Sequence, residues 1–300
     1  MVGADAAVGP LDEGLRMSDV VVITGCSSGI GLETALAFAR RGDQVFATMR
    51  ATGKSTPLLD RAADENLTIE IVELDVRSDE SVADAIAEVR RAAGRIDVLV
   101  NNAGVGYGNP VEEMDPSGWQ ALFDTNLYGP IRMVQAVVGE MRARGSGAIV
   151  NIGSAAGHIP GGAFMAFYAA SKHAIRAFTE SLYAELHTFG ITVRIVEPGF
   201  FASEIYNTAS DLFPGAAGSP YAAAMDMNDA FFRHSSANAP SATQCASIIV
   251  QAVHDPAATV WTIAGEDAVM LTAMARDATS VEEWTTNVNG FVQAVLGAGR

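Results

Sequence analysis

The sequence predicts one α/β domain, built as a doubly wound, mostly parallel sheet between two helical layers. Three observations predict it. Short runs of β-branched apolar residues alternate with helix-period stretches from Val20 to about Gly199, the pattern of parallel strands joined by right-handed helical crossovers. A glycine-rich turn lies directly between the first run and the first helical stretch. Small polar residues close the later runs, as they do where an open parallel sheet forms a ligand crevice at its carboxyl edge.

Composition narrows the possible functions. The 300 residues are 49% hydrophobic, enough for the core of one large domain. A formal net charge of −16 repels phosphate backbones and anionic lipid, which argues against nucleic acid and the membrane surface as partners. No apolar run approaches the ~18–20 residues of a membrane span. Two cysteines, Cys26 and Cys245, form no disulfide framework. The histidines at 158, 173, 187, 234 and 254 show no ligand spacing, so no metal is expected. Residues 1–17 are acidic and Gly/Ala-rich, without the basic and apolar regions of a signal peptide, and are expected to form a disordered tail. Met17 stands where a start codon would directly precede the first strand. A reducing, cytoplasmic setting is expected.

Taken in order, Val20-Val21-Val22-Ile23 is a buried strand. Thr24-Gly25-Cys26-Ser27-Ser28-Gly29-Ile30-Gly31 follows, then a helical pattern over 32–41. Strand, glycine turn and helix together cradle a phosphate at a helix N-terminus. The spacing is G-x-x-x-G-x-G, and read alone it also fits a plain tight turn. Residues 44–49 are the second strand. No acid stands at its end to hold a ribose 2′-hydroxyl; Met49 and Arg50 occupy that corner, and a cation suits a 2′-phosphate. Gly53-Lys54-Ser55-Thr56 looks like the end of a P-loop, but Thr48 stands where that motif needs its first glycine, so a loop is expected.

Residues 67–74 are the third strand, ending in Asp75-Val76. Ser78 caps the next helix, Asp79 and Glu80 sit in its first turn, and Gly94 stops it. Residues 96–100 are the fourth strand, ending in Asn101-Asn102-Ala103-Gly104. Residues 117–144 read as one long helix containing Asn126 and kinked near Gly129-Pro130. The fifth strand, 148–152, runs into Gly153-Ser154, and the sixth, 191–196, into Glu197-Pro198-Gly199. Residues 202–240 scatter Tyr, Phe and Met among small residues without a clear period. They are either an apolar lid over a pocket or a helical insertion capping the core. A helix over 241–253 and a strand over 259–263 complete a domain spanning 18–265. Residues 266–300 form a helical extension.

The helix that opens near Phe167 carries the strongest chemical signal. Tyr168 and Lys172 are four apart and share one helix face. The chain has only two lysines, Lys54 and Lys172, and six tyrosines, so chance pairing at this spacing is improbable. A phenol titrates at ~10, and an ammonium within ~4–6 Å lowers it by ~1–3 units. Reaching ~7 takes roughly 4 kcal/mol, most of it from Lys172 and the remainder from a second positive charge. The pair is thus expected to donate and accept protons near neutral pH.

These residues together resemble the short-chain dehydrogenase/reductase family in its single-domain branch, over about 19–265, with the motifs in the family's order. The resemblance implies a Rossmann fold. The turn from Thr24 to Gly31 resembles its cofactor turn, with Gly25, Ser27, Ser28, Gly29, Ile30 and Gly31 as cofactor contacts. Asp75, beside Val76, matches the acid that holds the adenine ring. Asn102, Ala103 and Gly104 lie in its strand-four motif, and Pro198 and Gly199, with Phe201, match the turn that meets the nicotinamide. Ser203 stands where the family often has Thr. Asn126, Ser154, Tyr168 and Lys172 match its catalytic tetrad. Ile23 to Leu32, Phe46 to Arg50 and Pro198 to Phe201 are similar to the 17β-hydroxysteroid and retinol dehydrogenase branch.

The resemblance implies hydride transfer between NADP(H) and a hydrophobic carbonyl or secondary alcohol, with NAD(H) also usable. Tyr168 is then the proton donor and acceptor, Lys172 lowers its pKa and holds the nicotinamide ribose, and Ser154 hydrogen-bonds the substrate oxygen. Asn126 holds a water that links Lys172 to solvent. A homodimer or homotetramer through the Asn126 and Tyr168 helices is implied as well. Two other classes compete. A non-catalytic NADP(H) sensor would typically lose the Tyr or the Lys. An extended-branch epimerase or dehydratase usually has the turn T-G-x-x-G-x-x-G, against which the Gly25/Gly29/Gly31 spacing argues.

Overall fold

A computed structural model describes residues 18–106, 108–202 and 218–298. Strands buried on both faces need continuous apolar runs, and Val20–Thr24 (β1) is buried at all five positions. Gln44–Met49 (β2), Ile69–Glu73 (β3), Val98–Asn101 (β4), Gly147–Ile152 (β5), Ile191–Pro198 (β6) and Trp261–Ala264 (β7) join it. The seven strands are parallel in the order β3-β2-β1-β4-β5-β6-β7. Strand order reverses between β1 and β4, so the connections leave these neighbours toward opposite faces and open a crevice at their carboxyl ends.

Helices cover both faces. Gly29–Arg40 (α1), Thr56–Asp64 (α2), Asp79–Ala93 (α3), Pro116–Phe123 (α4), Gly129–Arg144 (α5), Ala166–Leu186 (α6), Ala222–Ala237 (α7), Ala242–His254 (α8), Glu266–Asp277 (α9) and Val281–Ala298 (α10) follow in chain order. One core layer packs Leu36 and Phe38 of α1 and Ile249 of α8 against Ile23 and Val45. The other packs Ile86 of α3, Val137 of α5 and Leu182 of α6 against Val22, Leu99 and Ile149. Between β4, β5 and α6 runs a buried polar ladder. Asn101 donates to Asn151 (2.9 Å), Asn151 to Thr179 (2.8 Å) and Thr179 to the Ile175 carbonyl (2.6 Å).

The doubly wound parallel sheet, the Ser78 cap and the Gly94 stop are as expected. The Ser78 hydroxyl accepts from the Ser81 amide, and Gly94 is left-handed at φ +77°. Two expectations are corrected. The loop expected around 53–56 is a short 3-10 turn that leads into α2, whose first turn accommodates Pro57 because that position needs no amide hydrogen. The single helix expected over 117–144 is two. Asp115 caps α4 by accepting from the Ser117 amide (2.8 Å), and a π turn, Asp124–Tyr128, separates α4 from α5. Pro130 lies in the first turn of α5, directly after the π turn. Within 202–240, the described part is mainly the helix α7, which buries Phe231 and Phe232. Residues 1–17 and 203–217, which include Ser203, lie outside the described residues.

The C-terminal stretch belongs to the same body. Phe291 of α10 meets Phe231 of α7 edge-on (ring centroids 6.0 Å apart), and Trp284 is only 1% exposed. Among the described residues no helix is long and apolar enough to cross a membrane. Truncating a buried Trp removes its burial and leaves a cavity, so Trp284→Ala is expected to lower the unfolding free energy by about 3 kcal/mol. Urea denaturation checks this. A change below about 0.5 kcal/mol would make α10 a surface appendage.

Candidate active site

The crevice between β1 and β4 is shaped by backbone constraints. Gly25 is left-handed at φ +75°, and a Cβ there would lie 2.8 Å from Ala103 Cα. A Cβ on Gly31 would collide with the Gly25 carbonyl and the Asn102 side chain. Both positions therefore exclude side chains, and the start of α1 comes close to the strand ends. Thr24 and Asn102 lock this arrangement. The Thr24 hydroxyl accepts from the Asn102 amide (3.0 Å) and the Ala103 amide (2.9 Å), while Asn102 Nδ2 donates to the carbonyls of Thr24 (2.8 Å) and Gly25 (3.1 Å).

The resulting cleft has a volume of about 420 Å³. Along its floor are Gly25, Ser27, Ser28, Gly29, Ile30 and Gly31 at the start of α1. Arg50, Asp75 and Val76 line one end, after β2 and β3. Asn102, Ala103 and Gly104 line the middle, after β4, and Ser154, Tyr168, Lys172, Pro198, Gly199 and Phe201 line the far end. All the expected cofactor contacts within the described residues thus meet in one cleft. The sequence reading missed Arg77, which lines it too. Its guanidinium donates to Asp75 Oδ2 (2.7 Å) and holds the carboxyl below the usual carboxylate range. The signal was present as Asp75-Val76-Arg77 at the third strand's end.

Asn126 does not line the cleft. It is buried, with Oδ1 accepting from the Val105 amide (2.9 Å) and Nδ2 donating to the Val105 carbonyl (2.8 Å) and Ser171 Oγ (3.1 Å). The π turn supplies this residue, and its amide fastens the segment after β4 to α6. Both amide hydrogens of Asn126 are thus taken by protein groups, while Oδ1 accepts one hydrogen bond and keeps a second acceptor position.

The catalytic candidates lie at the far end. Gly157 packs against the backbone of Lys172, which brings the Ser154 strap onto α6. Lys172 is buried; its ammonium donates to the Ile152 carbonyl (3.1 Å) and lies 5.8 Å from the centre of the Tyr168 ring. Burial pushes Lys172 down to about 8. Burial also pushes the Tyr168 phenol above its usual 10, and a hydrogen bond with Ser154 offsets part of the rise. In the protein alone Lys172 does not draw Tyr168 down toward 7; the second positive charge that the expectation calls for is not among the protein's own groups. The protein surroundings disfavour both charged forms, and an ammonium already weakened by burial does not offset the desolvation of the phenol.

A second cavity meets the cleft at Ser154, Tyr168, Pro198 and Gly199. Its walls carry six large aromatic side chains, Phe164, Phe200, Phe231, Phe232, Trp284 and Phe291, among smaller and aliphatic residues. Asp267, at the start of α9, also lines it and accepts from the Phe200 amide (2.7 Å). None of the α9 and α10 contributions was anticipated from the sequence, because nothing in 266–300 matched a motif.

Residues 19–211 match the family described as short chain dehydrogenase, and the chain belongs to that family. It is 46% identical over 189 residues to retinol dehydrogenase 8 of Bos taurus, covering 61% of this chain and 59% of that protein. It is 43% identical over 188 residues to estradiol 17-beta-dehydrogenase 1 of Rattus norvegicus, covering 61% and 54%. The match thus spans less than two thirds of these curated relatives' length. The fold is also similar to a gluconate 5-dehydrogenase of Burkholderia cenocepacia solved with NADP and tartrate (TM-score 0.70, 28% identity, covering 85% of this chain and 97% of that one).

Burial favours the neutral phenol, so Tyr168 is expected to stay un-ionised through pH ~10. An ultraviolet difference titration of the protein against Tyr168→Phe reads this directly. A tyrosinate signal from this residue near pH 7–8 would contradict it.

Proposed function

We propose that the protein is an NADP(H)-dependent oxidoreductase acting on a hydrophobic carbonyl or secondary alcohol. One observation carries the reading: Ser154 and Tyr168 stand where a dinucleotide-shaped cleft opens into an aromatic cavity. The side-chain-free approach at Gly25 and Gly31 fits a pyrophosphate against the start of α1. Arg50 and Arg77, both exposed at the opposite end, fit a 2′-phosphate. The NADP-bound relative supports the same choice. The bound nicotinamide supplies or takes the hydride.

The chain's own residues manage the proton and the charge. In reduction, Tyr168 donates its proton to the substrate oxygen, starting from the neutral form that burial favours. In oxidation it accepts that proton, and the phenolate needs positive charge beside it, which Lys172 supplies. Ser154 donates to the same oxygen as charge develops there. Lys172, pushed down to about 8, exchanges a proton readily near neutral pH and holds the ribose. Asn126 is a positioning residue that keeps Val105 and α6 in register. The six aromatic walls exclude water from the reacting carbon and favour an apolar substrate. The retinol and estradiol dehydrogenase relatives support that substrate class.

Absorbance assays with NADPH over steroids, retinoids, aliphatic ketones and sugars test the reading. Activity is expected on the bulky apolar members. Tyr168→Phe is expected to lower turnover at least ~10²-fold while NADPH binding persists; near-normal turnover would remove Tyr168 from the reaction. Arg50→Asp is expected to shift the ratio of kcat/KM for NADPH over NADH downward by at least about tenfold, the effect of roughly 1.4 kcal/mol at the 2′-phosphate. An unchanged ratio would show that Arg50 is not the selector.

A further inference from the structure

Glu197 is fully buried, one residue before Pro198, and has no part in the chemistry above. A lone carboxylate in that position would be strongly disfavoured. Two side chains from different elements meet it, an imidazole and a guanidinium. His158 Nδ1 lies 3.2 Å from Oε2, and Arg176 Nη1 lies 3.3 Å from Oε2 and 3.4 Å from Oε1. Arg176 belongs to α6, one turn beyond Lys172. It also donates to Glu180 (2.9 Å) and lies over the Trp261 ring of β7 at 5.1 Å. His158 ends the short 3-10 turn Ala155–Gly157, which begins directly after Ser154.

The strap carrying Ser154 is gripped on both sides. The Gly153 amide donates to the Val196 carbonyl (2.7 Å), and a Cβ on Gly153 would lie 3.1 Å from Glu197 Cγ. On the other side Gly157 packs against Lys172. Glu197 therefore ties together the three elements that present Ser154, Tyr168 with Lys172, and the Pro198 turn.

We infer that His158, Glu197 and Arg176 form a positioning unit for this site, and that the ionised Glu197 carboxylate is the form that holds Ser154 in register with Tyr168. The inference rests on the proposed roles of Ser154 and Tyr168. The charged and titratable groups around Glu197 are His158 on the strap, Arg176 and Glu180 on α6, and Asp267 at the start of α9 beyond Gly199. Burial pushes Glu197 up to about 7, Arg176 lowers it and Glu180 raises it, so the unit changes charge near neutral pH.

The test compares wild type, Glu197→Gln, His158→Leu and the double variant from pH 5.5 to 8.5, with NADPH and the best substrate of the panel. Wild-type kcat/KM is expected to fall as pH drops below about 7. In Glu197→Gln that acid limb should flatten, and kcat at pH 8 should fall about tenfold while the KM for NADPH stays within about twofold. The double variant should be no worse than the more damaged single, since the residues act as a unit. Thermal unfolding separates a merely structural role. A carboxyl raised from 4.5 to about 7 holds its proton in the folded state longer than in the unfolded chain, so its effect on stability declines from pH 4.5 to about 7. Glu197→Gln should therefore gain in Tm relative to wild type across that window. If Tm behaves so but the two activity profiles run parallel, Glu197 is structural only and the inference fails. A wild type inactive on every substrate would instead overturn the oxidoreductase reading, and this inference with it.

Discussion

The hydrogen bonds between Thr24 and the end of β4 are the constraint on which the rest of the site depends. At the point where strand order reverses, β1 and β4 must part at their carboxyl ends, and their last backbone groups would otherwise lack ladder partners. The Thr24 hydroxyl satisfies two amides there, and Asn102 satisfies two carbonyls. The turn after Thr24 is thereby held so close to Ala103 and Asn102 that neither Gly25 nor Gly31 tolerates a Cβ. The start of α1 is fixed by the same contacts. The shape of the dinucleotide cleft is thus a consequence of how one strand pair ends.

Burial dominates the electrostatics at the other end of the cleft. Tyr168 and Glu197 are both pushed up, and Lys172 is pushed down, each with desolvation as the leading cause. A low-dielectric site makes each hydrogen bond stronger and each unpaired charge costlier. Polar side chains at the site are accordingly committed. Lys172 is tied to the Ile152 carbonyl, Asn126 to Val105 and Ser171, and Asp267 to Phe200. The ladder through Asn101, Asn151 and Thr179 extends this order into the layer beneath α6. Such a site is pre-organised by its own packing, which is what electrostatic stabilisation of a developing charge requires.

The sheet and the cofactor cleft were legible because both rest on local signals. β-branched runs give strands, and a glycine turn between strand and helix gives the cradle. Tyr168 and Lys172 were legible because a helix turns a four-residue spacing into a shared face. The π turn at Asp124–Tyr128 was not legible, since no propensity separates it from a continuous helix; what selects it is the burial of Asn126 against Val105 and Ser171. The protonation preference of Tyr168 in the protein alone was not legible for a similar reason. Spacing reports proximity, but the degree of burial decides whether a neighbouring charge or desolvation prevails. The clustering of His158, Arg176 and Glu197 depends on three elements meeting, and no spacing encodes that.

The two cavities differ in where their residues lie along the chain, and this bears on substrate choice. Among the described residues, those lining the cofactor cleft fall within 25–201, inside the stretch shared with the short chain dehydrogenase family. The aromatic wall of the second cavity comes largely from beyond it: Phe231 and Phe232 on α7, and Trp284 and Phe291 on α10. The two cavities are therefore built by largely separable parts of the sequence. They meet only at Ser154, Tyr168 and the Pro198 turn, and Asp267 links them by holding the Phe200 amide from the C-terminal side. Changes in α7 or α10 can reshape what reaches the phenol without disturbing the Thr24–Asn102 lock or the start of α1. The shape of the second cavity thus depends on how the C-terminal helices pack against the Pro198 turn, and the shape of the first does not.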